Sequence, residues 1–158
     1  MFFENSATAP LAATTRAPAA DSGSLVVPYL FEFEPVQRVL RCTMSGHVND
    51  RELLECHGKA VRYVQQTDPA TVIVDLTPVD SIDISPATVQ GLARSDPAFP
   101  PSRPKFIVAP TDHLFGMSRM YQLIGERTRP RLQVVRSLDE AYLALGVKDL
   151  HFQPIAED

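Results

Sequence analysis

The chain has 158 residues and a formal net charge of −4, with 44% hydrophobic and 22% charged residues. That is the length and texture of one globular domain, long enough to bury a core without a disulfide or metal staple. The acidic balance gives no broad basic field for sequence-independent nucleic-acid binding, and no run of about 20 apolar residues offers a membrane-spanning helix.

Residues 1–27 are rich in Ala, Thr, Ser and Pro, and Met1-Phe2-Phe3 is their one apolar spot. Such a segment buries too little to offset its ordering entropy and reads as a flexible N-terminal tail. It lacks the basic start and apolar core of a secretory signal, which makes the cytoplasm the default location. From Tyr29 the texture changes. Residues 29–33 alternate apolar and polar, as an edge strand does, and residues 37–44 form a second strand with Val39, Leu40, Cys42 and Met44 as apolar members. Gly46 closes this second strand, and Glu34-Pro35 marks the turn of a hairpin between the two. Asn49 with Glu52 three residues on makes a capping box, so a helix runs to about residue 66 with Leu53, Leu54, His57, Ala60, Val61 and Val64 on one face. Residues 67–69 (TDP) end it.

Residues 71–76 (TVIVDL) are a continuous, β-branched run, the mark of a central parallel strand covered on both faces. A linker over 77–84 follows. Ser85 at the N-cap and Pro86 at the first helical position then open a short helix to about residue 94. Residues 96–104 hold four prolines and read as a stiff surface loop. A buried strand over 105–109, a helix over 113–126 and a strand over 131–135 come next. Ser137 and Glu140 form a second capping box for a helix through Leu145, with Gly146 as its C-cap. The order β-β-α-β-α-β-α-β-α implies a single α/β domain over 28–147, with a mainly parallel sheet behind a leading antiparallel hairpin. Residues 148–158 are a short C-terminal tail whose Leu150, Phe152 and Ile155 are available to pack back onto the domain or onto a partner.

Several chemistries have no signature. There is no GxGxxG after a strand, no GxxxxGK[ST], no GxSxG elbow, no HExxH and no calcium loop. Cys42 and Cys56 lack CxxC spacing and read as two reduced, buried thiols. Cys56-His57 finds no further ligands at zinc spacing in His47, His113 or His151. No metal and no cofactor are expected. His57, in the middle of an apolar helix face, reads as a core or boundary histidine. Asp75 reads as a carboxylate capping loop amides at a strand end; VIVDLTPVD lacks the acidic pair and the lysine that a response-regulator receiver needs with its aspartate.

The stretch VIVDLTPVDSIDIS, followed by a helix, resembles the STAS domain (sulfate transporter and anti-sigma factor antagonist). Asp75-Leu76-Thr77 stands where that family ends a buried strand in an Asp-Leu-Ser-like turn, and Asp83-Ile84-Ser85-Pro86 where it presents Asp-Ser-Ser-Gly at a helix N-terminus. A second segment, KFIVAPTDHLFGMSRMYQLIGE followed by LQVVRSLDEAYLAL, is similar to the SpoIIAA-like family of small bacterial proteins. Gly116, Arg119 and Met120 match its Gly-x-x-Arg-Met, and residues 138–141 its Leu-Asp-Glu-Ala-like helix. The resemblance covers about residues 36–146. It implies a STAS-like fold and a non-enzymatic regulatory module that binds a protein partner: a kinase, an anti-sigma-like protein or another regulator. It also implies that Ser85 is the candidate phosphosite. Ile84 and Pro86 depart from the pattern, and the plain alternative for Ser85 is an N-cap worth about 1 kcal/mol.

The resemblance makes Asp83, His113, Gly116, Arg119 and Met120 the candidate partner or ligand surface. Arg127, Arg129 and Arg131 follow Arg119 closely, and this basic cluster suits an acidic partner or simple solvation. The alternative function is a small-molecule or lipid-binding module. Its cleft would lie between the helices near Ser85 and Arg119, lined by Leu92, Leu114, Phe115 and Met117, with Arg119 on an anionic head. An enzyme is the third reading, with Asp75, Asp83 and His113 near the carboxyl ends of strands, but no spacing names a reaction. A monomer or a homodimer fits equally well.

Overall fold

A computed structural model describes residues 28–156 of the chain. The N-terminal segment 1–27, with its Met1-Phe2-Phe3 spot, lies outside the described residues. The elements are β1 (Tyr29–Glu34), β2 (Val39–Met44), β3 (Gly46–Asn49), α1 (Asp50–Thr67), β4 (Thr71–Asp75) and β5 (Val79–Asp83). They continue with α2 (Pro86–Arg94), β6 (Lys105–Val108), α3 (Asp112–Ile124), β7 (Leu132–Val135), α4 (Leu138–Leu145) and β8 (Gln153–Pro154).

Six strands form one sheet in the order β7-β6-β4-β2-β1-β8. β2, β4, β6 and β7 run parallel, and β1 pairs antiparallel with β2 from Tyr29 opposite Met44 to Glu34 opposite Val39. The mixed sheet behind a leading hairpin is the architecture expected from the sequence. Because side chains alternate across a strand, each strand feeds two cores. Leu40, Cys42, Met44, Val72, Ile107 and Leu132 face one side, where α1 and α3 cover them. Val39, Ile73, Phe106 and Val108 face the other, under α4. β4 lies mid-sheet, and Ile73 is 0% exposed, which is what its unbroken β-branched run demands.

Four features depart from the sequence reading. β2 ends before Gly46, as expected, but Gly46 adopts a left-handed φ of 70° that turns the chain into an unexpected further strand, β3. The expected linker over 77–84 contains β5, which pairs parallel with β3 in a separate two-stranded ribbon. Its exposure pattern and the polar Asp80, Ser81 and Asp83 masked it as a strand. The expected edge strand β1 is covered by β8, with Glu32 opposite Pro154 and Phe33 opposite Gln153. Leu150 and Phe152 pack on the α4 core and Ile155 on the other, so the residues after Val147 do pack back onto the domain. Finally, the proline-rich loop is not all surface: Phe99 is buried in the larger core.

The helix starts follow their caps. Asn49 Oδ1 accepts the Glu52 N–H at 2.9 Å while Glu52 Oε1 accepts the Asn49 N–H at 3.1 Å. At α4, Ser137 Oγ accepts the Glu140 N–H at 3.1 Å, but Glu140 reaches back to the N–H of Arg136, one residue beyond the cap. That completes the expected box in shifted form. Gly146, at φ 69°, ends α4 as a left-handed C-cap. Among the described residues no helix is long and apolar enough to cross a membrane.

Candidate functional site

The β3–β5 ribbon sets two helix starts side by side. Asn49 stands opposite Asp83 at its end; one residue on, Asp50 opens α1, and two residues beyond Asp83, Ser85 caps α2. Parallel pairing therefore delivers the chain to two adjacent N-termini, each with unpaired N–H groups and the positive end of a helix dipole. The Asp50 carboxylate bridges them. Its Oδ1 accepts the Ser85 N–H at 2.8 Å and its Oδ2 accepts the Ser85 hydroxyl at 2.9 Å. Ser85 Oγ in turn accepts the Thr88 N–H at 3.2 Å, as an N-cap does, and lies 3.0 Å from Thr88 Oγ1. A serine hydroxyl has one proton, and an ionised carboxylate is its stronger acceptor, so the Thr88 hydroxyl is left to donate to Ser85 Oγ. The Ser85 N–H first, and then the Ser85 hydroxyl, hold the Asp50 carboxyl below the usual carboxylate range, so it is anionic near neutral pH.

The remaining candidate residues do not join this bridge. Asp83 is exposed at the ribbon end, and His113 and Gly116 are exposed on α3, which packs beside α2. A Cβ built on Gly116 finds no atom within 4 Å, so the glycine leaves a flat spot. Gly116, Met120 and Leu123 stand at i, i+4 and i+7 and share a helix face; Leu123 is 56% exposed. Arg119 is exposed and hydrogen-bonds to Gln122, whose Nε2 donates to the Leu132 carbonyl at 2.8 Å. Among the described residues no hydrogen bond or ion pair connects Asp83, His113, Gly116, Arg119 or Met120 to Ser85.

The basic cluster after Arg119 divides. Arg129 does not face solvent: it is 7% exposed, and its guanidinium donates to the carbonyls of Ala93 at 2.8 Å, Leu92 at 3.1 Å and Ser95 at 3.2 Å. It is the C-terminal cap of α2, a cation placed against the negative end of the helix dipole. Arg127 and Arg131 remain exposed. Asp75 behaves as read from sequence, its Oδ1 accepting the Thr77 N–H at 3.0 Å and the Thr77 hydroxyl at 2.6 Å. Cys42 and Cys56 are buried free thiols with sulfurs 3.3 Å apart. The Cys56 sulfur and then burial push the Cys42 thiol well above its ordinary range, which makes it a poor nucleophile at neutral pH.

A cavity of about 170 Å³ lies between α1 and α3, over the larger core. Leu53, Ala60 and Val64 of α1 line one side, Leu114 and Met117 of α3 the other, and residues 97–101 form a further wall. It matches the cleft expected from sequence in part, since residues of α2 line it as well. Leu92, Leu114 and Met117 do line it, but Phe115 lies outside, its ring 4.0 Å beneath the Arg136 guanidinium, and so does Arg119. His57 lines the cavity half-buried. Burial first, then the charges of Lys105 and Arg129, lower its pKa below the usual value.

No protein-family model matches the sequence, and no curated protein matches it significantly. Among solved structures, the anti-sigma factor antagonist SpoIIAA in its unphosphorylated form matches with a TM-score of 0.52 and 12% identity, over 77% of this chain and 99% of that one. The fold is SpoIIAA-like. A phosphorylated form of SpoIIAA, a Bacillus cell fate determinant, matches with a TM-score of 0.49 and 14% identity over 74% of this chain and 98% of that one. Identity this low speaks for the fold alone; Ser85 stands at the start of α2 in this chain's own structure, and its chemistry is argued from the residues around it.

Asp50 was missed from sequence. A carboxylate in the first turn of a helix is ordinary dipole compensation, and only the β3–β5 pairing, hidden in what reads as a linker, brings it to Ser85. The prolines, arginine and lysine around the cavity were equally silent, because a surface loop and a cavity wall have the same composition.

Proposed function

We propose that this protein is a regulatory module that acts by binding a protein partner through the start of α2 and the outer face of α3, and that phosphorylation of Ser85 switches the binding. One observation carries the reading: the bridge from Asp50 to Ser85. The Ser85 hydroxyl hydrogen-bonds to a carboxylate that holds α1 and α2 together. A phosphate there would carry up to two negative charges and could not share the place with Asp50. The bridge would open, and the two helix starts would be freed to move apart. The bridge is thus a two-state element that a single covalent change biases, which is what a switch requires. Pro86 takes nothing from it, since the N–H that proline lacks at the first helical position has no intrahelical partner in any case.

The exposed Pro86 and Ala87, with the flat Gly116 and the apolar Met120 and Leu123, supply a surface without large projections on which a partner can close. Likeness in fold to an anti-sigma factor antagonist supports binding over chemistry as the mode of action, in the cytoplasm, where the paired thiols of Cys42 and Cys56 stay reduced. The test is peptide mapping of the protein isolated from its own host under several growth conditions. Phosphate on Ser85 in at least one condition is the expected result; phosphate on another residue, or none in any, removes the switch. A second reading, that the module binds a small ligand, is favoured by the apolar cavity between α1 and α3.

A further inference from the structure

The cavity has a chemical asymmetry. Its walls are apolar, yet Arg103, Lys105, Arg129 and Arg131 line it, and among the described residues it holds no aspartate or glutamate. Three of these cations gather where the chain enters β6 and β7. Lys105 is paired with Leu132 in register, its N–H donates to the Arg131 carbonyl at 3.2 Å, and Arg131 donates to the Ser102 carbonyl at 2.8 Å. This is the N-terminal end of the parallel strands, opposite the end at which Ser85 stands. The cations are unequal. Arg129 is committed to the α2 carbonyls, and Arg103 is paired with Asp68 at 2.8 Å. Lys105 has no carboxylate partner among the described residues; its ammonium lies 5.7 Å from the centre of the Tyr121 ring. Arg131 likewise has a carbonyl and no carboxylate. A half-buried lysine beside an apolar space, without an anion, is an electrostatic debt that a ligand can settle.

Size narrows the class further. An apolar cavity of roughly 150 Å³ stays dry and takes a benzene-sized guest. At about 170 Å³ this cavity admits an apolar body of about six to ten carbons, and not a two-chain lipid. We infer that it binds a small single-chain amphiphile with an anionic head, a carboxylate or a phosphate, the chain lying between α1 and α3 and the head held by Lys105 and Arg131. The inference rests on the second reading above and names its ligand class. It also moves the anion-binding role from Arg119, which faces solvent, to Lys105.

The test is amide chemical-shift titration of the full chain with octanoate, octyl phosphate and octanol, and with butanoate and hexanoate for the chain-length series. Saturable shifts at Ala60, Leu92 and Met117 are expected with octanoate or octyl phosphate, and whichever binds more tightly identifies the head. Affinity should rise about fourfold per added methylene from butanoate to octanoate, as burial of each group requires. Lys105→Gln should weaken octanoate about tenfold, the loss of one charge-assisted hydrogen bond, and leave octanol unchanged; Arg131→Gln, at an exposed position, tests the same charge without touching the core. Octanol binding as tightly as octanoate would overturn the assignment of the head while leaving the cavity a binding site. No saturable shift with any of the three would overturn both.

Discussion

Arg129 is the most informative single position for stability, because it ties the end of α2 to the body of the domain. Replacing it with methionine keeps most of the side-chain volume and removes all the donors. Of its carbonyl contacts, that to Ala93 is buried and those to Leu92 and Ser95 are partly so. A buried acceptor left without a donor costs about 1–3 kcal/mol and the half-exposed Ser95 carbonyl about 0.5–1 kcal/mol, while the Leu92 carbonyl keeps the Ser95 hydroxyl and N–H as donors. The guanidinium's own desolvation, which methionine does not incur, offsets part of the sum, so the expected loss is about 2–3 kcal/mol. At a few degrees per kcal/mol for a domain of this size, the melting temperature should fall by roughly 6–12 °C. Urea titration is the assay: the midpoint should drop with the slope unchanged. Arg129→Lys, with one compact charge for three carbonyls, should recover about half. Hydrogen exchange adds a local readout, since the amides of Val89 to Ala93 should lose protection before the rest of the core. A loss under about 0.5 kcal/mol, or a lysine variant no better than methionine, would refute the capping role.

Two further outcomes follow from the same region. Gly125→Ala should destabilise by about 1–3 kcal/mol, because the added Cβ would meet the Ala93 carbonyl oxygen at 3.0 Å, the Arg129 guanidinium at 3.2 Å and the Tyr121 carbonyl oxygen at 3.3 Å; a neutral melting temperature would show that the backbone yields. His57 has a folded pKa below its ordinary 6.5, so the unfolded chain takes up its proton first. Its contribution is complete above pH 6.5 and is lost as the pH falls through the folded value. Stability measured downward from pH 7 should therefore decline in wild type and decline less in His57→Gln. Asp50 and Asp68 titrate below 3.8 and leave that window clear; parallel curves would refute the assignment.

The parts of the fold legible in the sequence are those with a strong local pattern. The β-branched run of β4, the capping box at Asn49 and the Ser85-Pro86 helix start each carry their own signal, and each stands where it was expected. β3 and β5 were not legible, because four or five residues with exposed polar members alternate too weakly to separate from a linker, and they are strands only by pairing with each other. The same pairing makes the Asp50–Ser85 bridge, so the candidate site was visible as a serine and invisible as a pair. Arg129 shows the opposite error. An arginine between Thr128 and Pro130, near two others, reads as a basic surface, and only the end of α2, 36 residues earlier at Ala93, explains its burial. The cavity is lined by many separated segments, from Phe31 to Leu132, and no local period carries such a thing.

The central claim, that the charge on Ser85 governs partner binding, is tested most directly by comparing wild type, Ser85→Ala and Ser85→Asp as full-length baits against the same host extract, with bound proteins quantified. All three should first be shown to unfold cooperatively, with Ser85→Ala less stable by about 1 kcal/mol for its lost N-cap. The account expects at least one protein whose recovery is similar for wild type and alanine and changes several-fold for aspartate, and expects that protein to be lost also when Gly116 is replaced by a bulky residue on the outer face of α3. Identical recovery for all three baits would contradict it.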